Sequence, residues 1–169
     1  MPIQEAPLDA TIHEKIAWAR DCFARAGDRL LKDPRIADLL NRLSNAITDS
    51  HRAMGVSGIS EECRQCEHQE GGSCCGAGLE NRYSGTLLLI NLLLGVKLPP
   101  KRTAPSNCHF LGDKGCRLLA RHVICVNYVC RKITDRIDPE GIAPLREAEG
   151  RELDILFLLN EHIKKVLRE

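Results

Sequence analysis

The chain has 169 residues, 43% of them hydrophobic and 28% charged, and its net charge at pH 7 is +1. This composition excludes a disordered chain and is typical of one globular domain. The longest apolar run, residues 86–96, has eleven residues, whereas a membrane-spanning helix needs roughly 20. No secretory signal is visible at the N-terminus, so we expect a cytoplasmic protein without a membrane partner.

The N-terminal part of the chain predicts two helices that pack as an antiparallel hairpin. A capping box at Thr11 begins the first helix, over residues 11–32, and Pro34 stands at the first position of the second. Apolar residues recur at steps of three and four along both segments, which gives each helix one face to bury. Gly55 and Gly58 should end the second helix.

The middle of the chain, residues 61–132, is predicted to be rich in cysteine and largely irregular. Residues 63–75 show no helical period, and their glycines permit tight turns. A helix over residues 84–94 should lie at the centre of the core because it is apolar on nearly all sides. A glycine-flanked turn predicts a small β-hairpin within residues 108–119, and a short helix is expected over residues 125–132.

The last helix is predicted to begin after Pro144, with leucines along one side. Six residues are aromatic whereas 23 are leucine, which indicates an aliphatic, helical core. We therefore predict a mainly α fold: one small helical domain, residues 1–169, with an irregular cysteine-rich metal-binding region and a minor β-hairpin. Within it, residues 1–60 form the helical hairpin, residues 61–132 the metal-binding region with its central apolar helix, and residues 133–169 the C-terminal helix.

Nine residues are cysteines, and eight of them are clustered in the middle of the chain. These eight are Cys63, Cys66, Cys74, Cys75, Cys108, Cys116, Cys125 and Cys130. Two thiols in a C-x2-C spacing can point at one ion, and a metal can order irregular backbone because its binding free energy becomes folding free energy. We therefore predict that the eight thiols bind metal, whereas Cys22 is predicted to be a buried thiol of the core.

The spacing leaves the number and kind of metal centres open. Because adjacent side chains usually point apart, Cys74 and Cys75 should not bind the same ion: either each serves a different centre or only one is a ligand. Eight thiolates suffice for two four-sulfur sites, or for one cluster with additional thiols. Zinc and iron–sulfur clusters both accept four thiolates. Disulfides are disfavoured because the number of cysteines is odd and no secretory signal is visible.

Charge is strongly segregated along the sequence. Residues 97–132 contain eight basic residues and one acidic residue, a net +7, whereas residues 61–96 and residues 133–169 are each net −3. A four-thiolate centre with zinc or with an oxidised four-iron cluster is dianionic, so the basic stretch should offset its charge. The cations nearest to the cysteines in sequence are Arg117, Arg121, Arg131 and Lys132. The stretch could instead bind nucleic acid, which we disfavour because it has few aromatic residues for base stacking.

Other ligand types in this region are predicted not to bind metal. His68 and His109 stand close to cysteines and could replace a thiolate, but exposed loop histidines are the favoured interpretation. Four acids should be solvated because thiol-rich sites prefer softer ions. These acids are Glu61, Glu62, Glu67 and Glu70. No nucleotide-binding or zinc-protease motif is present, and no catalytic residue can be assigned.

The order of the cysteines resembles that of the CxxCxxCC family of zinc- or iron-chelating proteins. The likeness covers about residues 61–132 and consists of a C-x2-C pair, an adjacent cysteine pair and a later C-x-F-L…G-C…R…C…C pattern. The residues that carry it are Cys63, Cys66, Cys74, Cys75, Cys108, Phe110, Leu111, Gly115, Cys116, Arg121, Cys125 and Cys130. Members of this family are often described as iron–sulfur-cluster-containing proteins or oxidoreductases, so the resemblance implies metal binding and redox activity.

We therefore predict a metal-binding protein, and favour an iron–sulfur protein of the redox or electron-transfer type. Its cofactor would be a 4Fe–4S cluster held by cysteines, and it would exchange electrons with an unidentified protein partner. Whether it is an enzyme stays open, since only the resemblance implies an oxidoreductase. One alternative is a structural zinc protein that engages another protein, and a weaker one is a nucleic-acid binder that uses residues 97–132.

Overall fold

The computed structural model describes residues 3–69 and 74–169, without the side chains of residues 67–69. The helices are α1 (Ile12–Lys32), α2 (Pro34–Val56), α3 (Ile59–Gln69), α4 (Gly85–Leu93), α5 (Val123–Asn127), α6 (Arg131–Arg136) and α7 (Pro139–Arg168), with a 3-10 turn over Leu79–Arg82. Strands β1 (Leu111–Gly112) and β2 (Gly115–Cys116) pair antiparallel, with Leu111 opposite Cys116. The predicted fold class, mainly α with a minor β-hairpin, is confirmed. No helix among the described residues is both long and apolar enough to cross a membrane.

Helices α1 and α2 begin where their capping residues predict. The Thr11 hydroxyl accepts the amide of Glu14, and the Glu14 carboxylate accepts the amide of Thr11, which completes the capping box. Asp33 alone connects the two helices, and its carboxylate accepts the amides of Arg35 and Ile36 in the first turn of α2. Short-range capping contacts therefore fix both helix starts.

The main core is aliphatic and has α4 at its centre. Eight of the nine residues of α4 are buried, as expected for a helix that is apolar on nearly all sides. Leu88 and Ile90 are fully buried there. Helix α1 packs against α4, and α2 packs against α7. Gly95, with a φ of +83°, ends this segment as predicted.

One polar side chain inside the core anchors the loop that leads to α5. The side-chain nitrogen of Asn91 donates to the carbonyls of Leu87 and Ala120. Its side-chain oxygen accepts the amides of Leu119 and Ala120. Asn91 is fully buried, so water does not compete for these bonds. The loop before α5 is therefore tied to α4.

A second, smaller apolar cluster joins α3, α6 and the start of α7. Its buried members are Ile59, Ile133, Ile142 and Leu145. Cys130 and Ile137 pack against them. In the described part of the chain, this cluster shares no residue with the main core. The cysteine-rich region is therefore supported by two apolar clusters of very different size.

Residues 59–69 form α3, although the sequence predicted irregular backbone from residue 63 onward. Gly58, with a φ of +80°, separates α3 from α2. Glu61 lies in the first turn, where the helix dipole favours an acid, and it pairs with Arg64 three residues later. Among the side chains described in this helix, only that of Ile59 is buried, so no apolar period marks the helix in the sequence.

The C-terminal helices differ from the prediction in number and in starting point. Helices α5 and α6 replace the single helix predicted over residues 125–132, and Cys130 is the N-cap residue of α6. Helix α7 begins at Pro139 rather than after Pro144. Asp138 caps it, and a proline at the first helical position has no amide that would be left unpaired. Pro144 lies in the second turn, where it removes one backbone hydrogen bond without ending the helix.

Candidate metal centre

All eight cysteines predicted to bind metal line one cavity of about 280 Å³, called here the thiol cavity. They come from α3, from residues 74–75, from the segment of the β-hairpin, from α5 and from the N-cap of α6. Apolar side chains of the main core, such as Leu79, and of the second cluster, such as Ile133, also line it. The thiol cavity therefore lies between the two apolar clusters.

Cys22 lies apart from the other cysteines. All nine cysteines are among the described residues, and each is present as a thiol rather than in a disulfide. Cys22 is fully buried in the main core and does not line the thiol cavity. Burial raises its pKa to about 11, so it stays protonated. It is the buried core thiol that the sequence predicted.

The cavity thiols are neighbours, but they are not assembled around an ion. Among the described residues, no set of three or more His, Cys, Asp or Glu side chains is arranged so that it could hold a metal ion. Metal binding would therefore have to draw the thiols closer together. The assignment of the eight cysteines as ligands stays a prediction.

Four thiols are electrostatic neighbours on the side of the cavity formed by α3. We call Cys63, Cys66, Cys74 and Cys130 the α3 group. Cys63 and Cys66 are three residues apart on α3, which places them on one face of the helix. Partial burial raises the pKa of the Cys63 thiol, and the three other thiols of the group raise it further. Partial burial also raises the pKa of Cys74, and Cys130 and Cys66 add to that rise.

The remaining four thiols are neighbours on the side formed by the β-hairpin and α5. We call Cys75, Cys108, Cys116 and Cys125 the hairpin group. The amide of Cys108 donates to the carbonyl of Cys75 at 2.7 Å, and an antiparallel bridge joins Gly76 to Asn107. Burial, with the three other thiols of the group, raises the pKa of Cys75 to about 12. Burial also raises the pKa of Cys108 to about 11.

Tyr83 places a hydrogen-bond donor in the wall of the cavity. Its hydroxyl donates to the sulfur of Cys125 across 3.5 Å, and its buried ring packs against Phe110 with 5.1 Å between ring centroids. Burial and the nearby thiols raise the pKa of Tyr83 far above its usual value, so the hydroxyl keeps its proton. The sequence did not identify this residue. A buried tyrosine needs a partner, but its burial cannot be read from the sequence alone.

Two of the four predicted compensating cations face the thiol cavity. The Nζ atom of Lys132 lies 3.8 Å from the sulfur of Cys66. Arg121 lines the cavity, and its charge partly offsets the rise that burial causes in the pKa of Cys116. The predicted cations that do not line the cavity are Arg117 and Arg131. Positive charge therefore reaches both groups of thiols.

An acid of α3 also lines the cavity, although it was predicted to be solvated. Glu62 forms an ion pair with Arg136, which connects α3 to α6. Glu61 is exposed and pairs within its own helix, as expected of a solvated acid. Of the acids and histidines considered as ligands from the sequence, those whose side chains lie outside the described part are Glu67, His68 and Glu70.

His109 does not face the cavity, and its predicted exposure is wrong. It is 1% exposed, its Nε2 atom lies 3.0 Å from the carbonyl oxygen of Pro99, and its ring packs against those of His13 and Phe110. Cys108 and Phe110 on either side of it are buried too. This loop therefore passes through the main core, which the sequence pattern did not reveal.

Comparisons with known proteins gave no match: no family model fits the chain, and the searches of curated proteins and of solved structures found nothing similar. The likeness to the CxxCxxCC family therefore stays a prediction based on the order of the cysteines. Any functional assignment has to rest on the chemistry of the thiol cavity.

Proposed function

We propose that this chain is a metal-binding protein whose thiol cavity holds the metal. The observation that carries the proposal is the convergence of eight thiols, from five separate segments, on one cavity. Thiolates are soft ligands that suit zinc and iron–sulfur centres. Lys132 and Arg121 supply positive charge beside the sulfurs, which an anionic thiolate centre needs.

The chemical state of the thiols argues against reactive catalytic cysteines. With a pKa of about 12 for Cys75 and about 11 for Cys108, both carry their protons at neutral pH. A protonated thiol is a poor nucleophile, whereas a metal ion can take the place of the proton. Buried, protonated thiols gathered in one cavity therefore fit a metal site better than a thiol-based active site.

We favour an iron–sulfur centre of the 4Fe–4S type that exchanges electrons with a partner protein. When bound, such a cluster supplies a redox couple whose potential depends on burial and on hydrogen bonds to sulfur. Leu79 and Leu111 line the cavity beside the thiols, and the Tyr83 hydroxyl donates to a sulfur. The resemblance to the CxxCxxCC family supports the same class and an oxidoreductase role. We expect the protein to act in the cytoplasm, where thiols stay reduced.

A structural zinc site is the second candidate, and the small apolar cluster favours it. In the described residues this cluster has four buried members, so α3 and α6 have little apolar burial to hold them together. A zinc ion would supply that free energy and fix a surface for another protein. We do not propose a nucleic-acid role, because Arg121 and Lys132 of the basic stretch face the thiols.

Metal analysis and visible spectroscopy of protein purified without oxygen test the proposal. An iron–sulfur protein is brown, contains iron and acid-labile sulfide, and absorbs broadly near ~400 nm until it is reduced. A colourless protein that contains zinc would favour the structural candidate. Folded protein with neither metal would overturn the proposal.

Two matched serine variants test the location of the metal. Cys66→Ser should hold less metal than the wild type because its thiol lines the cavity, whereas Cys22→Ser should keep the full amount because its thiol lies in the main core. Both changes replace one sulfur by oxygen, and circular dichroism of each variant checks that the serine in the core or in the cavity leaves the protein folded. Equal metal contents in the two purified variants would contradict the assignment of the cavity thiols as ligands.

A further inference from the structure

We propose that the thiol cavity holds two separate four-thiolate centres, and that the ligand sets divide between the adjacent residues Cys74 and Cys75. The first centre takes the α3 group: Cys63, Cys66, Cys74 and Cys130. The second takes the hairpin group: Cys75, Cys108, Cys116 and Cys125. This inference rests on the proposed metal-binding function and adds to it by stating which thiols share a centre.

Among the described residues, backbone hydrogen bonds join Cys75 and the two residues after it to the segment that precedes the hairpin. The amide of Cys108 donates to the carbonyl of Cys75 at 2.7 Å, and the amide of Ala77 donates to the carbonyl of Ser106 at 2.8 Å. The antiparallel bridge described above lies between these two bonds. Residues 75–77 therefore run alongside the segment that ends at Cys108. The boundary between the two groups of thiols thus falls between Cys74 and Cys75.

The packing of the cysteines divides them in the same way. Cys108 is a buried member of the main core, and Cys75 and Cys125 pack against that core. Cys130 instead packs against the second cluster, whose members include Ile59 at the start of α3. The cysteines that pack against the two clusters therefore divide between them as the two groups do.

The electrostatic neighbours agree with this division. Every thiol that raises the pKa of Cys63 or Cys74 belongs to the α3 group. Every thiol that raises the pKa of Cys108 or Cys116 belongs to the hairpin group. Burial is the main cause of the raised pKa of Cys75, and among the thiols that add to it the three of its own group act more strongly than Cys74, its neighbour in the chain. The two groups thus meet at one peptide bond.

Each group also has its own cation. Lys132 lies beside Cys66 of the α3 group, and Arg121 acts on Cys116 of the hairpin group. The positions of these two cations therefore follow the division of the thiols into two groups.

The metal content of the wild-type protein is the first test. Two centres predict about eight iron atoms per chain for 4Fe–4S clusters, or about two zinc ions for zinc sites. Enough metal for one centre only would overturn the two-centre inference and leave the metal-binding function intact. Folded protein without metal would overturn both. This count does not depend on whether any variant folds.

Serine variants test which thiols share a centre. Cys63→Ser and Cys116→Ser each remove one thiol of a partly exposed residue, from different groups, and each should keep about half of the wild-type metal. Adding Cys130→Ser to Cys63→Ser stays within the α3 group and should remove no further metal. Combining Cys63→Ser with Cys116→Ser crosses the groups and should remove all of it. Cys22→Ser is the control and should keep full metal content.

Metal analysis and circular dichroism of each variant decide the outcome. The inference is overturned if a single variant remains helical but holds no metal. It is also overturned if the double variant within the α3 group holds clearly less metal than Cys63→Ser alone. Retention of about half in both single variants, with loss of all metal in the combination across the groups, supports two independent centres.

Discussion

The hairpin side of the thiol cavity rests on the main core, whereas the α3 side rests on a small cluster. On the hairpin side, Phe110 is fully buried, and Asn91 fastens the loop before α5 with four hydrogen bonds. On the α3 side, four buried residues and the ion pair between Glu62 and Arg136 hold α3 to α6. Both partners of that pair are partly exposed, and such pairs contribute only about 0–1 kcal/mol.

If metal binds in the thiol cavity as proposed, this difference predicts that the two sides depend on it to different degrees. We expect the hairpin side to keep its conformation without metal, because it rests on the larger apolar cluster. The α3 side has little burial, so bound metal would supply much of its stability. The predictions that follow test this contrast, and the largest expected effect comes first.

Removal of metal should open the α3 side before the hairpin side. Structural metal can contribute on the order of 10 kcal/mol to folding, and α3 and α6 have the least apolar burial to replace it. Hydrogen exchange followed by mass spectrometry, before and after chelation, measures this. Peptides from α3 and α6 should lose protection, whereas peptides from α4 should keep it. Equal loss throughout would contradict the contrast.

Two truncated side chains, one in each apolar cluster, should have different effects on unfolding. Leu88→Ala leaves a cavity in the main core and should lower the free energy of unfolding by about 2–5 kcal/mol. Ile133→Ala should instead destabilise α3 and α6 locally and leave unfolding of the main core nearly unchanged. Urea unfolding combined with hydrogen exchange distinguishes the two results. If Ile133→Ala lowered the stability of α4 as much as Leu88→Ala, the two clusters would be one cooperative unit.

Loss of the cap between α1 and α2 should have a smaller effect that spares the thiol cavity. Asp33→Ala should cost about 1 kcal/mol at pH 7 and leave the metal content unchanged. The hydrogen bond from the amide of Ile36 is the main cause that lowers the pKa of Asp33 in the folded protein. The stabilisation by the Asp33 carboxylate is therefore complete above the unfolded-state pKa of about 4 and is lost as pH falls through the lowered pKa. The difference in the free energy of unfolding between wild type and variant should therefore shrink in acid. Urea unfolding at pH 7 and at a pH below the lowered pKa would show this. A difference that grew in acid would contradict this role.

Removal of the Tyr83 hydroxyl should have the smallest effect on stability, and it should change the properties of the hairpin group only. Tyr83→Phe keeps the buried ring and loses the bond to Cys125, so we expect a change of below about 1 kcal/mol. If the centre is an iron–sulfur cluster, its reduction potential should fall, because a donor to sulfur stabilises the more negative reduced state. A redox titration should show a shift in one of two couples. A shift in both couples, or in neither, would contradict the placement of Tyr83 beside the hairpin group alone.

The helical frame was predictable because its signals are local. The capping box at Thr11 and the cap at Asp33 involve residues at most three apart in sequence, and the apolar periods of α1 and α2 lie within each helix. Helix α3 was missed because its described part buries little except Ile59. The start of α7 was misplaced because Pro144 resembles a first-turn residue, although Asp138 caps the helix six residues earlier.

The cavity was only partly predictable from the sequence. The clustering of cysteines indicated where thiols gather, and the adjacent pair left two centres as one alternative. The division itself depends on contacts between distant segments, such as the bond between Cys75 and Cys108. The roles of Tyr83 and Glu62 depend on burial and on α6, and neither can be read from spacing.

Both groups of thiols take their last member from the same late stretch of the chain. The hairpin group needs Cys125 and the α3 group needs Cys130, although their first members appear by residue 75. During translation, neither of the proposed ligand sets would be complete until this stretch has left the ribosome. If both centres form as proposed, metal could be loaded only after Cys125 and Cys130 have been made, and a chain that stops before residue 125 would have neither set complete.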